Sequence, residues 1–134
     1  MNEKSIPKKI RARQHEIVEQ FLAALDRHLA DVAAGRATEM LEIRDLADLM
    51  HIHPRHLTNT VKFVTGRSPC DFFEEKIMAI AVRRLEETDE SISQIAFDLT
   101  FDPSNFTKFF KRFAGLTPRQ YRENHRLGRR AEKN

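Results

Sequence analysis

Ser91-Ile-Ser-Gln-Ile-Ala-Phe-Asp-Leu-Thr-Phe-Asp-Pro-Ser-Asn-Phe-Thr-Lys-Phe-Phe-Lys-Arg-Phe-Ala-Gly-Leu-Thr-Pro-Arg-Gln-Tyr-Arg122 is the stretch on which the fold turns. Ile92, Ile95, Ala96 and Leu99 recur at helical steps, and the pattern then breaks at Thr100-Phe101-Asp102. Asp102 suits a helix cap and Pro103 the first helical position. Phe106, Phe109, Phe110 and Phe113 then recur at helical spacing, forming an aromatic inner face, until Gly115 stops the helix. Thr117-Pro118 opens a further helix carrying Tyr121. The unit reads as helix, tight turn, helix.

The same unit occurs once before, at a constant offset of 49 residues. Ala47 recurs as Ala96, Pro54 as Pro103, Thr58 as Thr107, Lys62 as Lys111, Gly66 as Gly115 and Pro69 as Pro118. Apolar positions recur as well: Ile43 with Ile92, Leu46 with Ile95, Ile52 with Phe101, Leu57 with Phe106, Val64 with Phe113, Phe72 with Tyr121. Two helices crossing steeply need a small residue at their contact, which Ala47 and Ala96 supply. The first unit covers 43–66, with helices Ile43 to Met50 and Pro54 to Thr65; the second covers 91–115. A connecting helix spans 69–87, with Ser68 as its cap and Phe72, Phe73, Ile77, Ile80, Ala81 and Leu85 on its apolar side.

Ahead of the repeat, Gln14 to Ala34 reads as a helix with Val18, Phe21, Leu22, Leu25, Leu29 and Val32 on one side. Residues 1–13 are expected to form a basic arm and 125–134 a frayed basic tail, leaving 14–124 as one domain. No segment alternates with strand period, so the expected fold is all-α with about seven helices.

Charge is unevenly placed. Residues 1–13 carry a net +4 and residues 108–134 a net +7, whereas 14–107 carry −8. Basic flanks around an acidic middle point to a polyanion approached from one side. No apolar run reaches the ~20 residues of a membrane span, and the amino terminus lacks a secretory apolar segment. The single cysteine, Cys70, excludes an internal disulfide and fits a reducing compartment, so the expected location is the cytoplasm.

Subtracting apolar positions from the second helix of each unit leaves Arg55, Thr58, Asn59 and Lys62 in the first, and Ser104, Asn105, Thr107, Lys108 and Lys111 in the second. None carries negative charge, and all can hydrogen-bond to base edges or phosphates. A helix-turn-helix presents such a face to the major groove. The connecting helix, at ~1.5 Å per residue, is long enough to hold two such helices near the ~34 Å spacing of successive grooves. Double-stranded DNA is therefore the expected partner. No phosphate loop, paired carboxylates or nucleophile-base pair is present, so no enzyme, cofactor or metal is expected.

The quoted stretch resembles the DNA-binding domain of the AraC/XylS family of bacterial transcription regulators, and the resemblance extends over Ile43 to Arg122. It implies two helix-turn-helix units joined by a rigid helix, bound to promoter DNA. It also implies base reading by Arg55, Thr58 and Asn59 and by Ser104, Thr107 and Lys108, with Lys62 and Lys111 near phosphates. Asn105 completes the base-reading set, and Arg112, Arg119 and Arg122 complete the phosphate set. Where the family usually has glycine in each turn, this chain has His51 and Thr100. A β-branched residue is strained at positive φ, so the second turn is expected to depart from the usual geometry.

Other features have plainer readings. His51, His53 and His56 have ligand-like spacing, but His53 suits a cap and His56 lies within the recognition helix. Cys70 reads as a lone thiol at a helix start, and Glu74, Glu75, Glu86, Glu87, Asp89 and Glu90 as a solvated face. The competing functional reading is a protein-interaction module that contacts RNA polymerase or another regulator through that acidic face. A monomer is favoured, with a dimer through the long first helix as the alternative. The chain reads either as a stand-alone regulator or as the output domain of a longer protein.

Overall fold

A computed structural model describes residues 6–133, with side chains to Glu132. Seven helices are present and no strand occurs among the described residues: α1 (Lys8–Ala33), α2 (Ile43–Leu49), α3 (Pro54–Thr65), α4 (Pro69–Glu87), α5 (Ile92–Asp98), α6 (Pro103–Ala114) and α7 (Pro118–Lys133). Two compact units result. One comprises the chain up to Ala30 with Leu41–Glu75, the other Asp31–Met40 with Lys76 onward.

In the first unit, Leu46, Ala47, Leu57 and Val61 are wholly buried, so α2 and α3 meet across the small Ala47 as their spacing requires. The turn closes with the Ile52 amide donating to the Ala47 carbonyl at 3.0 Å. His51 there adopts φ 59°. His53 caps α3 by accepting from the Arg55 amide through Nδ1 at 3.1 Å, and Gly66 at φ 76° ends it. Ser68 and Asp71 cap each other's amides at 3.1 Å to start α4. Arg67 lies 4.4 Å over the Phe72 ring and pairs with Glu75, while Phe21 of α1 meets Phe72 edge-on. The buried His28 accepts the Leu41 amide through Nε2 at 2.9 Å, tying the α1–α2 link to α1.

The second unit repeats the plan with different filling. Ala96, Ile95 and Leu99 are buried, and the Phe101 amide donates to the Ala96 carbonyl at 2.8 Å. Thr100 takes φ 68°, so the second turn keeps the geometry that its β-branched residue was expected to spoil. Asp102 caps α6 through the Asn105 amide, and Gly115 at φ 77° ends it. Phe106 and Phe110 are fully buried. Each such ring stabilises by about 2–3 kcal/mol, plus about 1 kcal/mol for a well-oriented aromatic pair. Phe101 meets Phe106 at 5.8 Å and Phe109 at 5.1 Å, and Phe110 meets Tyr121 edge-on at 5.6 Å. The inner face is narrower than expected: Phe109 is half-buried and Phe113 exposed, since both sit on the flank of α6. Arg84 anchors this unit by pairing with Asp98 at 2.7 Å and donating to the Ala33 carbonyl.

Two boundaries differ from expectation. The first five residues of the basic arm lie outside the described residues, but Lys8 to Arg13 belong to α1. Pro7 supplies the first acceptor carbonyl, and Lys, Arg, Ala and Gln are strong helix formers without any apolar periodicity to reveal them. The tail expected to fray is helical to Lys133, because α7 is fastened from its second turn onward by side chains whose partners are distant in sequence. In α1, Val18, Phe21, Leu25, Leu29 and Val32 are buried as expected, Ile17 joins them, and Leu22 is half-buried. Ile10, nearer the start of α1, is exposed.

Candidate nucleic-acid interface

The outward faces of α3 and α6 match position by position. Arg55, Asn59 and Lys62 are exposed on α3, as are Ser104, Lys108 and Lys111 on α6. Thr58 and Thr107 are both half-buried at the edge of these faces. Each helix is rooted by its inner side chains, Leu57 and Val61 in one unit and Phe106 and Phe110 in the other. Proline at the first helical position and a side-chain cap fix where each begins. Neither helix contains a carboxylate: their sequences are PRHLTNTVKFVT and PSNFTKFFKRFA. Asn105 is exposed, and so is His56, which occupies the same place on α3 at the 49-residue offset.

The phosphate set divides. Lys62, Lys111, Arg112 and Arg119 are exposed. Arg112 lies 4.7 Å over the Phe113 ring and 5.9 Å from Phe109. Arg119 pairs with Glu123 at 3.3 Å but remains 82% exposed. Such a pair is weak and easily exchanged for a phosphate.

Arg122 does not belong with them. It is buried, and its guanidinium donates to the carbonyls of Leu85 at 3.1 Å, Glu90 at 2.6 Å, Thr88 at 3.3 Å and Arg84 at 3.4 Å. Arg84 and Leu85 lie in the last turn of α4 and Thr88 and Glu90 in the turn that follows. The Arg84 carbonyl also accepts from the Thr88 amide at 3.1 Å and the Thr88 hydroxyl at 2.7 Å, so the fork of fixed donors serves chiefly the other three. Burial, then the nearby Arg126 charge, lowers its pKa from the usual guanidinium value. Beside it, the Tyr121 hydroxyl donates to Glu86, and that hydrogen bond, followed by burial and the Glu86 charge, pushes its pKa up to about 12.

Most of the acidic face is engaged within the units. Glu75 pairs with Arg67, Glu86 accepts from Tyr121, Glu90 lies 3.9 Å from Arg84, and Asp89 pairs with Arg126 at 2.7 Å. Among the described residues no group of three His, Cys, Asp or Glu could hold a metal ion, and no helix is long and apolar enough to cross a membrane. Cys70 is exposed.

Comparison with known proteins agrees with this geometry. A family profile described as a helix-turn-helix domain matches residues 46–124. The uncharacterized HTH-type transcriptional regulator YobQ of Bacillus subtilis is 34% identical over 85 residues, which cover 63% of this chain and 35% of that protein. The chain thus spans about a third of the length of that curated relative. Among solved structures, the C-terminal domain of AraT, a response regulator from Geobacillus stearothermophilus, superposes with TM-score 0.71 at 24% identity, covering 81% of this chain and 84% of that one. The DNA-binding domain of AdpA, a global transcriptional factor solved in complex with a target DNA, gives TM-score 0.64 at 26% identity, covering 76% of this chain and 96% of that one. Two repeated bihelical units, the profile match and these likenesses lead to one conclusion: the chain belongs to the AraC-type helix-turn-helix family of DNA-binding transcription regulators.

Proposed function

We propose that the chain recognises a specific promoter sequence by placing α3 and α6 in two successive major-groove segments of one duplex. Arg55, Thr58 and Asn59 read one box; Ser104, Asn105, Thr107 and Lys108 read the other. Lys62, Lys111, Arg112 and Arg119 neutralise phosphates and set the register. The observation that carries this reading is the pair of matched, carboxylate-free outer faces on α3 and α6. Support also comes from the DNA complex of the AdpA domain, which shares the fold at 26% identity.

Selection of bound duplexes from a random pool tests it. The expected result is a consensus of two boxes about one helical turn, ~34 Å, apart. Arg55→Ala or Asn59→Ala should then cost about 1–3 kcal/mol and relax preference at one box only, while Lys111→Ala should flatten the salt dependence by about one unit. An enriched pool without a consensus, or variants that weaken both boxes alike, would overturn the assignment.

A further inference from the structure

The 49-residue repeat continues past the second helix-turn-helix, so that α7 stands to α6 as the start of α4 stands to α3. Gly66 and Pro69 recur as Gly115 and Pro118, and each proline opens the next helix. The apolar face of α4 runs through Phe73, Ile77 and Ala81, which are 8%, 6% and 0% exposed. Their counterparts in α7 are Arg122, Arg126 and Arg130. A face that one helix buries in oil is, in the other, a row of guanidinium groups.

Only the first of these is buried. Arg122 is spent on backbone carbonyls. Arg126 is half-exposed and pairs with the fully open Asp89. Arg129 and Arg130 are exposed and have no ion pair or hydrogen bond among the described residues. The ridge lies beside the turn Thr88–Glu90, since Arg126 holds Asp89 and Arg122 holds the Glu90 carbonyl. That turn leads directly into α5, whose cap is Ser91. In helix-turn-helix complexes the first helix of the unit crosses the sugar-phosphate backbone.

We infer that Arg126, Arg129 and Arg130 of α7 form a phosphate clamp on the DNA strand that α5 crosses. This is a third point of attachment, separate from the two recognition helices and indifferent to base sequence. The inference rests on the DNA-binding reading above. It adds that the outer half of α7 sets affinity and salt dependence without contributing to sequence preference. Asp89 holds Arg126 in the free protein and releases it on binding to a phosphate, which a guanidinium can grip bidentately.

The test is a salt titration of the full chain on a random-sequence duplex and on the selected one. Replacing both Arg129 and Arg130 by Gln should flatten the plot of log affinity against log salt by about two units. At 0.1 M salt each lost contact should weaken binding about eightfold, with the same loss on both duplexes. Arg129→Lys with Arg130→Lys should restore the slope, because a phosphate needs only the charge. If the Gln variant, folded by circular dichroism, keeps the wild-type slope while Lys111→Ala changes it, the clamp is wrong and the recognition helices stand. A Gln variant that loses preference between duplexes also overturns the clamp, and so does a Lys variant that fails to restore the slope. If the unaltered chain binds neither duplex, both proposals fall.

Discussion

The two helix-turn-helix units share a backbone plan and differ in nearly everything that fills it. The first is aliphatic, with Leu57 and Val61 beneath α3; the second is aromatic, with Phe106 and Phe110 in the same places beneath α6. A histidine caps α3 where an aspartate caps α6. Phe73 is buried in the helix after the first unit, and the buried residue at that place after the second is Arg122. What recurs unchanged is the set of positions where geometry leaves no choice: the small contact residue, the proline starts, the glycine stops and the outward threonine and lysine. The lesson is that the bihelical plan constrains volume and backbone conformation at a few points, and leaves the chemistry of the remaining core open.

The largest effect should come from breaking the contrast between Phe73 and Arg122. Arg122→Ala leaves the carbonyls of Leu85, Thr88 and Glu90 without this donor, and we expect a loss of about 3 kcal/mol. Arg122→Lys should recover only part of it, since an ammonium cannot reproduce the fork. Tyr121 is the single tyrosine of the chain and lies in the second unit, so its fluorescence in urea unfolding is a probe placed in that unit. An unchanged midpoint in Arg122→Ala would return this residue to the phosphate set.

A smaller effect concerns the tyrosine itself, whose counterpart Phe72 has no hydroxyl. Tyr121→Phe should cost about 1–2 kcal/mol at neutral pH, the worth of a hydrogen bond to a carboxylate. Because the folded pKa, about 12, lies above the free value of 10.0, the fold favours the protonated phenol. Its contribution is complete below pH 10 and is lost as pH rises through about 12. Thermal melts followed by circular dichroism should therefore fall more steeply between these pH values in the unaltered chain than in Tyr121→Phe. Parallel pH profiles would refute the Glu86 bond.

The smallest effect is a gain. Thr100 and His51 hold left-handed conformations that cost a non-glycine residue about 1–2 kcal/mol, partly offset by the entropy glycine loses on folding. Thr100→Gly should stabilise by about 1 kcal/mol, and His51→Gly by about half of that, because histidine is not β-branched. A destabilised Thr100→Gly would mean that the threonine side chain contributes to the turn.

Much of this molecule was legible from one dimension. Helices α2 to α6 start and stop where prolines, caps and glycines say they should, because those residues act on the backbone locally. The outward faces of α3 and α6 were legible for a related reason: on a helix of known phase, knowing the buried side tells the exposed one. The limits of α1 and α7 were not, since Lys8 to Arg13 and the segment beyond His125 show no apolar period.

Residue order, then, determined the repeat, the caps and the carboxylate-free outer faces of α3 and α6, whereas the second turn kept a geometry that Thr100 was expected to spoil. Tertiary structure alone decided which arginines face inward. Arg119, Arg122, Arg126 and Arg130 follow one another at helical steps and read alike as cations. Only the arrival of the α4 terminus and its unsatisfied carbonyls beside α7 makes Arg122 a strut and leaves the others to solvent. The partners that fix a long polar side chain are more than thirty residues away in sequence, at a distance that no local pattern encodes.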